Sequence, residues 1–189
     1  MKLRSRSSAA WLDAVLSDFD AFLVDHAACE RKASAAALSF VVRYRDRPDL
    51  VDAMIELARE ELEHFQRVWK LLAERGLGLA RDEKDPYVGR MGREVRHGTP
   101  WTRMDRLLVA GVIEARGCER FRMIGEAQPE GPLRALYLDL ARAEARHQNL
   151  FAELAGRDYE PAALSQRMAQ LLEIEAEVVA SLELRPALQ

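Results

Sequence analysis

Two Glu-x-x-His segments, Glu61 to His64 and Glu144 to His147, place a carboxylate and an imidazole one turn apart, so that both groups leave the same face of a helix. That face is otherwise apolar. Around the first pair it reads Met54, Leu57, Glu61, His64, Val68, Leu71, and around the second Leu133, Leu136, Leu140, Glu144, His147, Phe151, Leu154. Steps of three or four residues make each a single helical stripe, broken at its middle by polar groups. Two further stripes carry one carboxylate each among small neighbours: Leu23, Ala27, Glu30, Ala33, Ala37, Val41 and Leu107, Gly111, Glu114, Cys118, Phe121, Gly125.

A buried carboxylate without a partner is costly. Four together repel and take up protons unless cations lie between them. Two divalent metal ions satisfy that electrostatic demand. One Glu from each of two helices, with Glu-x-x-His from each of two others, is the di-iron or di-manganese carboxylate pattern. Hard oxygen donors with one imidazole per metal suit iron or manganese. The expected ligands are Glu30, Glu61, His64, Glu114, Glu144 and His147; which carboxylates bridge and which bind terminally is open at this point.

Glu119 competes with Glu114, because Cys-Glu-Arg occurs both at 29–31 and at 118–120. Spacing favours Glu114: Glu30 to Glu61 is 31 residues and Glu114 to Glu144 is 30, whereas Glu119 to Glu144 is 25. Glu119 also shares its helix face with Arg116 and Arg122, which reads as solvated surface. A third match to the motif, Glu94 to His97, falls in a polar segment beside Gly-Thr-Pro and reads as chance.

The elements that must position these groups are helices. Periodicity predicts a short helix over about 8–18 and long ones over about 20–45, 48–75, 102–127 and 132–156, with a last one from about 161 to 184. No alternating run makes a strand. Short connections join the first two and the last two long helices, as antiparallel hairpins require. The stretch between the hairpins, about 76–101, is long and rich in Gly, Pro and Arg, and reads as a crossover loop. The expected fold is an all-α, ferritin-like four-helix bundle with a long crossover and extra N- and C-terminal helices, forming a single domain over 1–189.

The chain has 189 residues, a net charge of −3 and 49% hydrophobic residues, enough for one domain with a sizeable core. A protein that coats nucleic acid would be basic. A local basic patch remains open, because Arg supplies most of the positive charge and suits phosphate contacts. No apolar run is long enough to cross a bilayer, and the N-terminus is a poor signal peptide, so a cytoplasmic protein is expected. Cys29 and Cys118 have no metal-knuckle spacing and read as small core residues.

The stretches FLVDHAACERKASAAALSFVVRYRDRPDLVDAMIELAREELEHF and LLVAGVIEARGCERFRMI, with ARAEARHQNLF, resemble the tRNA-(2-methylthio-N6-isopentenyladenosine) hydroxylase family over about residues 15–155. The distinctive parts are DHAACE, which ends on the first ligand, Glu30, and IEARGCERF around the fourth, Glu114. The resemblance implies a non-haem di-iron monooxygenase that uses O2 to hydroxylate the isopentenyl group of a modified adenosine in the tRNA anticodon loop. It also implies two Fe ions on the six ligands named above. Two electrons per turnover would come from an external donor, a ferredoxin or reductase, since no flavin, haem or iron–sulfur motif is present.

RNA bases in open loops are read by aromatic stacking, with Arg or Lys on the phosphates. The crossover holds Arg90, Arg93, Arg96 and Trp101, with Tyr87, His97, Arg103 and Arg106 nearby, and is the expected tRNA contact. His26, one turn before Glu30, is expected to line the pocket or hydrogen-bond near the metals. Phe65 and Phe121 flank ligand positions and are candidates to receive a prenyl group. Other readings are a ferritin- or rubrerythrin-like ferroxidase, another di-metal oxidase such as a di-manganese catalase, and a helical interaction module with a vestigial site. The oligomeric state is open.

Overall fold

The computed structural model describes residues 1–81 and 83–188. Those residues form α1 (Ala9–Ser17), α2 (Phe19–Arg43), α3 (Pro48–Glu74), α4 (Pro86–Arg93), α5 (Thr102–Ala127), α6 (Pro132–Gly156) and α7 (Pro161–Ala180), with no strand among them. None of these helices is long and apolar enough to cross a membrane. The chain divides into two compact units, one gathering residues 13–83 and 185–188 and the other residues 1–12 and 84–184.

The first unit is the α2–α3 hairpin. The Asp18 carboxylate caps α2 by accepting from the Ala21 N–H at 3.1 Å, which satisfies one of the free donors at a helix start. Pro48 opens α3, where a missing N–H costs nothing. The end of α3 is a Schellman turn. Gly76 takes a positive φ of 70°, and the Gly76 and Leu77 N–H groups donate to the Ala73 and Leu72 carbonyls at 3.0 and 2.9 Å. Leu23 and Ala27 of α2 pack against Val68 and Leu72 of α3, with Phe65 and Leu77 against that cluster. Ser34 ties the two helices by donating to the Ala58 carbonyl at 2.8 Å.

The second unit is the α5–α6 hairpin with α4 and α7 packed on it. The hairpin closes tightly: a Cβ on Gly125 would lie 2.9 Å from the Leu138 side chain. On its other side lies a buried ionic network. The Arg116 guanidinium, fully enclosed, bonds Glu175 of α7 at 2.7 and 2.9 Å and Glu119 at 2.6 Å. Tyr87 of α4 donates to Glu175 at 3.2 Å, and Ser7 bonds Glu119 through both its N–H and its hydroxyl at 2.8 Å. Arg120 lies over the Trp11 ring. Burial pulls the Arg120 pKa down to about 10, and the neighbouring Arg116 adds to the fall.

Two expectations are corrected here. The crossover is not loop throughout, because Pro86–Arg93 is helical. Asp85 caps it by accepting from the Val88 N–H at 3.0 Å, and Tyr87 and Met91 bury one turn apart. Gly89 and Gly92 weaken the local helical signal, and tertiary burial overrides it. The Arg116–Glu119 face is not solvated surface, because α7 and the N-terminal segment cover it. Helical periodicity reports which residues share a face, not what packs upon it.

Candidate metal centre

In the first unit, α2 and α3 bring Glu30, Glu61 and His64 together, all buried, with one ligand atom from each within 4.8 Å of the others. His64 Nδ1 lies 3.2 Å from a Glu61 oxygen and 3.6 Å from a Glu30 oxygen. The other Glu30 oxygen meets His26 Nε2 at 2.6 Å, inside the same helix and with no solvent exposure at the histidine. Burial opposes charge on Glu30, but hydrogen bonds from His26 and His64 outweigh it and hold the carboxyl well below its usual range. Burial likewise opposes an imidazolium at His64, yet its bonds to Glu30 and Glu61 carry its pKa up to about 9. This cluster draws positive charge into a dry interior, as a cation site must.

In the second unit, α5 and α6 bring Glu114, Glu144 and His147 together, again with ligand atoms within 4.8 Å. His147 Nδ1 lies 3.8 Å from Glu144 and 4.0 Å from Glu114. Glu144 and His147 are buried; the Glu114 side chain retains 14% exposure. Gly117 passes the Glu144 carboxylate, where an added Cβ would sit 3.7 Å from its oxygen. Two carboxylates with one imidazole in each unit are a donor set suited to a hard divalent ion.

Each of the six expected ligands therefore lies in a triad of the expected composition. Glu119 does not join them, being held by Ser7 and Arg116. Glu94 and His97 belong to neither cluster. His26 bonds Glu30 directly, the closer of its two expected roles. Phe65 packs in the α2–α3 core, and Phe121 is buried with its ring 5.8 Å from Tyr137. Of the crossover arginines, Arg90 donates to the Ser181 hydroxyl and Arg96 forks onto Asp105 with two bonds of 2.7 Å, while Arg93 is exposed. Sequence reasoning missed the grip on Asp105, a fully buried carboxylate that also accepts from Arg167 at 3.1 Å. Burial opposes its ionisation, but the Arg96 and Arg167 bonds prevail and keep its pKa below normal. No periodicity signals such a partner 62 residues away.

Comparison with known proteins agrees with this geometry. A protein from Pseudomonas putida described as a tRNA 2-(methylsulfanyl)-N(6)-isopentenyladenosine(37) hydroxylase is 36% identical over 172 residues, covering 91% of this chain and 83% of its own. A protein of the same description from Salmonella typhimurium is 34% identical over 132 residues, 70% of this chain and 48% of that one. Among solved structures, a Synechococcus protein with aldehyde deformylating oxygenase activity superposes with a TM-score of 0.92 at 36% identity. That match covers 98% of this chain and 94% of the other, and with it the fold class is the expected all-α, ferritin-like one. The model of one family, tRNA-(MS2IO6A)-hydroxylase (MiaE), matches residues 1–189. The chain belongs to the MiaE tRNA hydroxylase family.

Proposed function

We propose that the two triads act as one di-iron centre within a single domain, and that the protein hydroxylates the isopentenyl group of 2-methylthio-N6-isopentenyladenosine in the tRNA anticodon loop. The observation that carries this is the pair of buried Glu plus Glu-x-x-His triads in a member of this family. Bound iron would supply the redox chemistry: with O2, two electrons and two protons, one oxygen atom enters a C–H bond and the other leaves as water. A ferredoxin or reductase would deliver the electrons. Glu30, Glu61 and His64 would hold one ion, and Glu114, Glu144 and His147 the other. His26 fixes the orientation of Glu30. Burial of the triads excludes water that would otherwise compete for the reaction. The tRNA substrate places this activity in the cytoplasm.

The direct test is nucleoside mass spectrometry on prenylated, methylthiolated tRNA after incubation with iron-loaded protein, a reductant and O2. One added oxygen on that nucleoside, abolished by Glu114→Ala, is the expected result. No added oxygen, with iron bound and O2 consumed, would remove this substrate. The likeness to the Synechococcus protein favours one second reading, oxidative deformylation of an aldehyde. Formate released from an aldehyde, with tRNA left unchanged, would select it.

A further inference from the structure

The crossover ends in a group of rings and guanidinium ions that the metal centre does not use. Trp101 caps α5 and leaves 41% of its surface in solvent. Its ring lies 6.0 Å from that of Tyr159, tilted by 36°. Arg96 stands over Trp101 at 5.8 Å, and Arg103 over Tyr159 at 5.6 Å. The group is held from behind. Asp105 forks Arg96 and also binds Arg167, Asp158 pairs with Arg103 at 3.0 Å, and the Tyr159 hydroxyl donates to the Pro100 carbonyl at 3.2 Å. Thr102 and Thr99 both donate to the Arg96 carbonyl, at 2.7 and 3.1 Å.

An aromatic ring that served only packing would be covered. Here the buried Asp105 carboxylate lies beneath, and the indole and the Arg96 guanidinium remain outside. Such a surface is already ordered, so binding costs little side-chain entropy. Flat rings flanked by arginines accept unstacked bases on their faces and phosphates at their edges. Exposed Arg93 adds positive charge on the same segment.

We propose that Trp101 and Tyr159, with Arg96 and Arg103, form a stacking platform for an unpaired nucleotide of the tRNA; this rests on the function proposed above. Trp101 is 13 residues before Glu114 on the same helix axis, about 20 Å at helical rise. The platform therefore grips the RNA away from the reacting group. It determines whether a whole tRNA is held, not how fast the bound prenyl group reacts.

The test compares wild type, Trp101→Ala and Trp101→Phe as iron-loaded proteins, with circular dichroism as a check of folding. Affinity for prenylated tRNA is measured by fluorescence anisotropy, and turnover is measured on both the tRNA and the free prenylated nucleoside. Trp101→Ala should bind tRNA about tenfold more weakly, the size of one lost base–aromatic stack. KM for tRNA should rise with kcat unchanged, nucleoside turnover should not move, and Trp101→Phe should recover most of the affinity. Equal tRNA affinity of a folded Trp101→Ala and an active wild type would overturn the platform alone. A wild type that neither binds nor hydroxylates tRNA would overturn the functional reading and the platform with it.

Discussion

The two hairpins carry the same ligand formula and hold it differently. In the α2–α3 triad the histidine reaches a carboxylate at 3.2 Å, and a third imidazole, His26, grips Glu30 from the preceding turn. In the α5–α6 triad His147 lies 3.8 Å from a Glu144 oxygen, and the residue one turn before Glu114 is Ala110, whose side chain has no donor. The helix contacts differ as well. The first pair is spaced by alanines and joined by the Ser34 hydroxyl, whereas the second closes over Gly111 and Gly125. The lesson is that a repeated motif sets which atoms are offered. In α2 the residue one turn away adds a hydrogen bond to one of them.

Removing both imidazoles should have the largest effect. His64→Ala with His147→Ala should abolish hydroxylation and leave far less than two irons per chain by metal analysis; unchanged iron would break the ligand assignment. The single variants sharpen the contrast, each expected to lower bound iron toward one ion.

His26→Ala is next. Loss of an outer hydrogen bond to a ligand typically weakens metal binding 10- to 100-fold. A metal titration should then show one weakened site and one unaffected. Two sites weakened equally would mean that the asymmetry between the hairpins is immaterial.

Smaller effects separate the two helix contacts. Gly125→Ala must push Leu138 aside, because the new Cβ also comes within 3.2 Å of the Leu138 backbone nitrogen; a loss of about 1–3 kcal/mol in chemical denaturation is expected. Ser34→Ala removes one buried bond, worth about 1 kcal/mol. The reverse order would break the view that the α5–α6 contact is the tighter.

The last prediction concerns acid. The Asp105 carboxyl is held below its ordinary value of 3.8, so the stability it adds is present above that pH and is lost as pH falls through its folded value. Asp105→Asn should lower the melting temperature at neutral pH, and the difference from wild type should shrink in acid.

Much of the site was legible because it follows from helical periodicity. Glu30, Glu61, His64, Glu114, Glu144 and His147 interrupt apolar stripes, and an interruption by charge has few inexpensive explanations. Glu114 lies beside Glu144 and His147, while Glu119 is engaged by Ser7 and Arg116 on a covered face, not on the solvated one that its arginine neighbours suggest. The helix at Pro86–Arg93 was obscured by its two glycines, although Asp85 followed by Pro86 is itself a helix-start signal.

What the sequence alone determined is what neighbours within a few residues can determine: the long helices, the faces they bury, and the donor atoms on those faces. Only the tertiary structure decided the rest. Arg116 found Glu175, 59 residues on, and Asp105 found Arg167, 62 residues on. Trp101 came to lie against Tyr159 at the exposed end of α5. Such pairings depend on which segments meet in space, and a helix face carries no local record of what will pack against it.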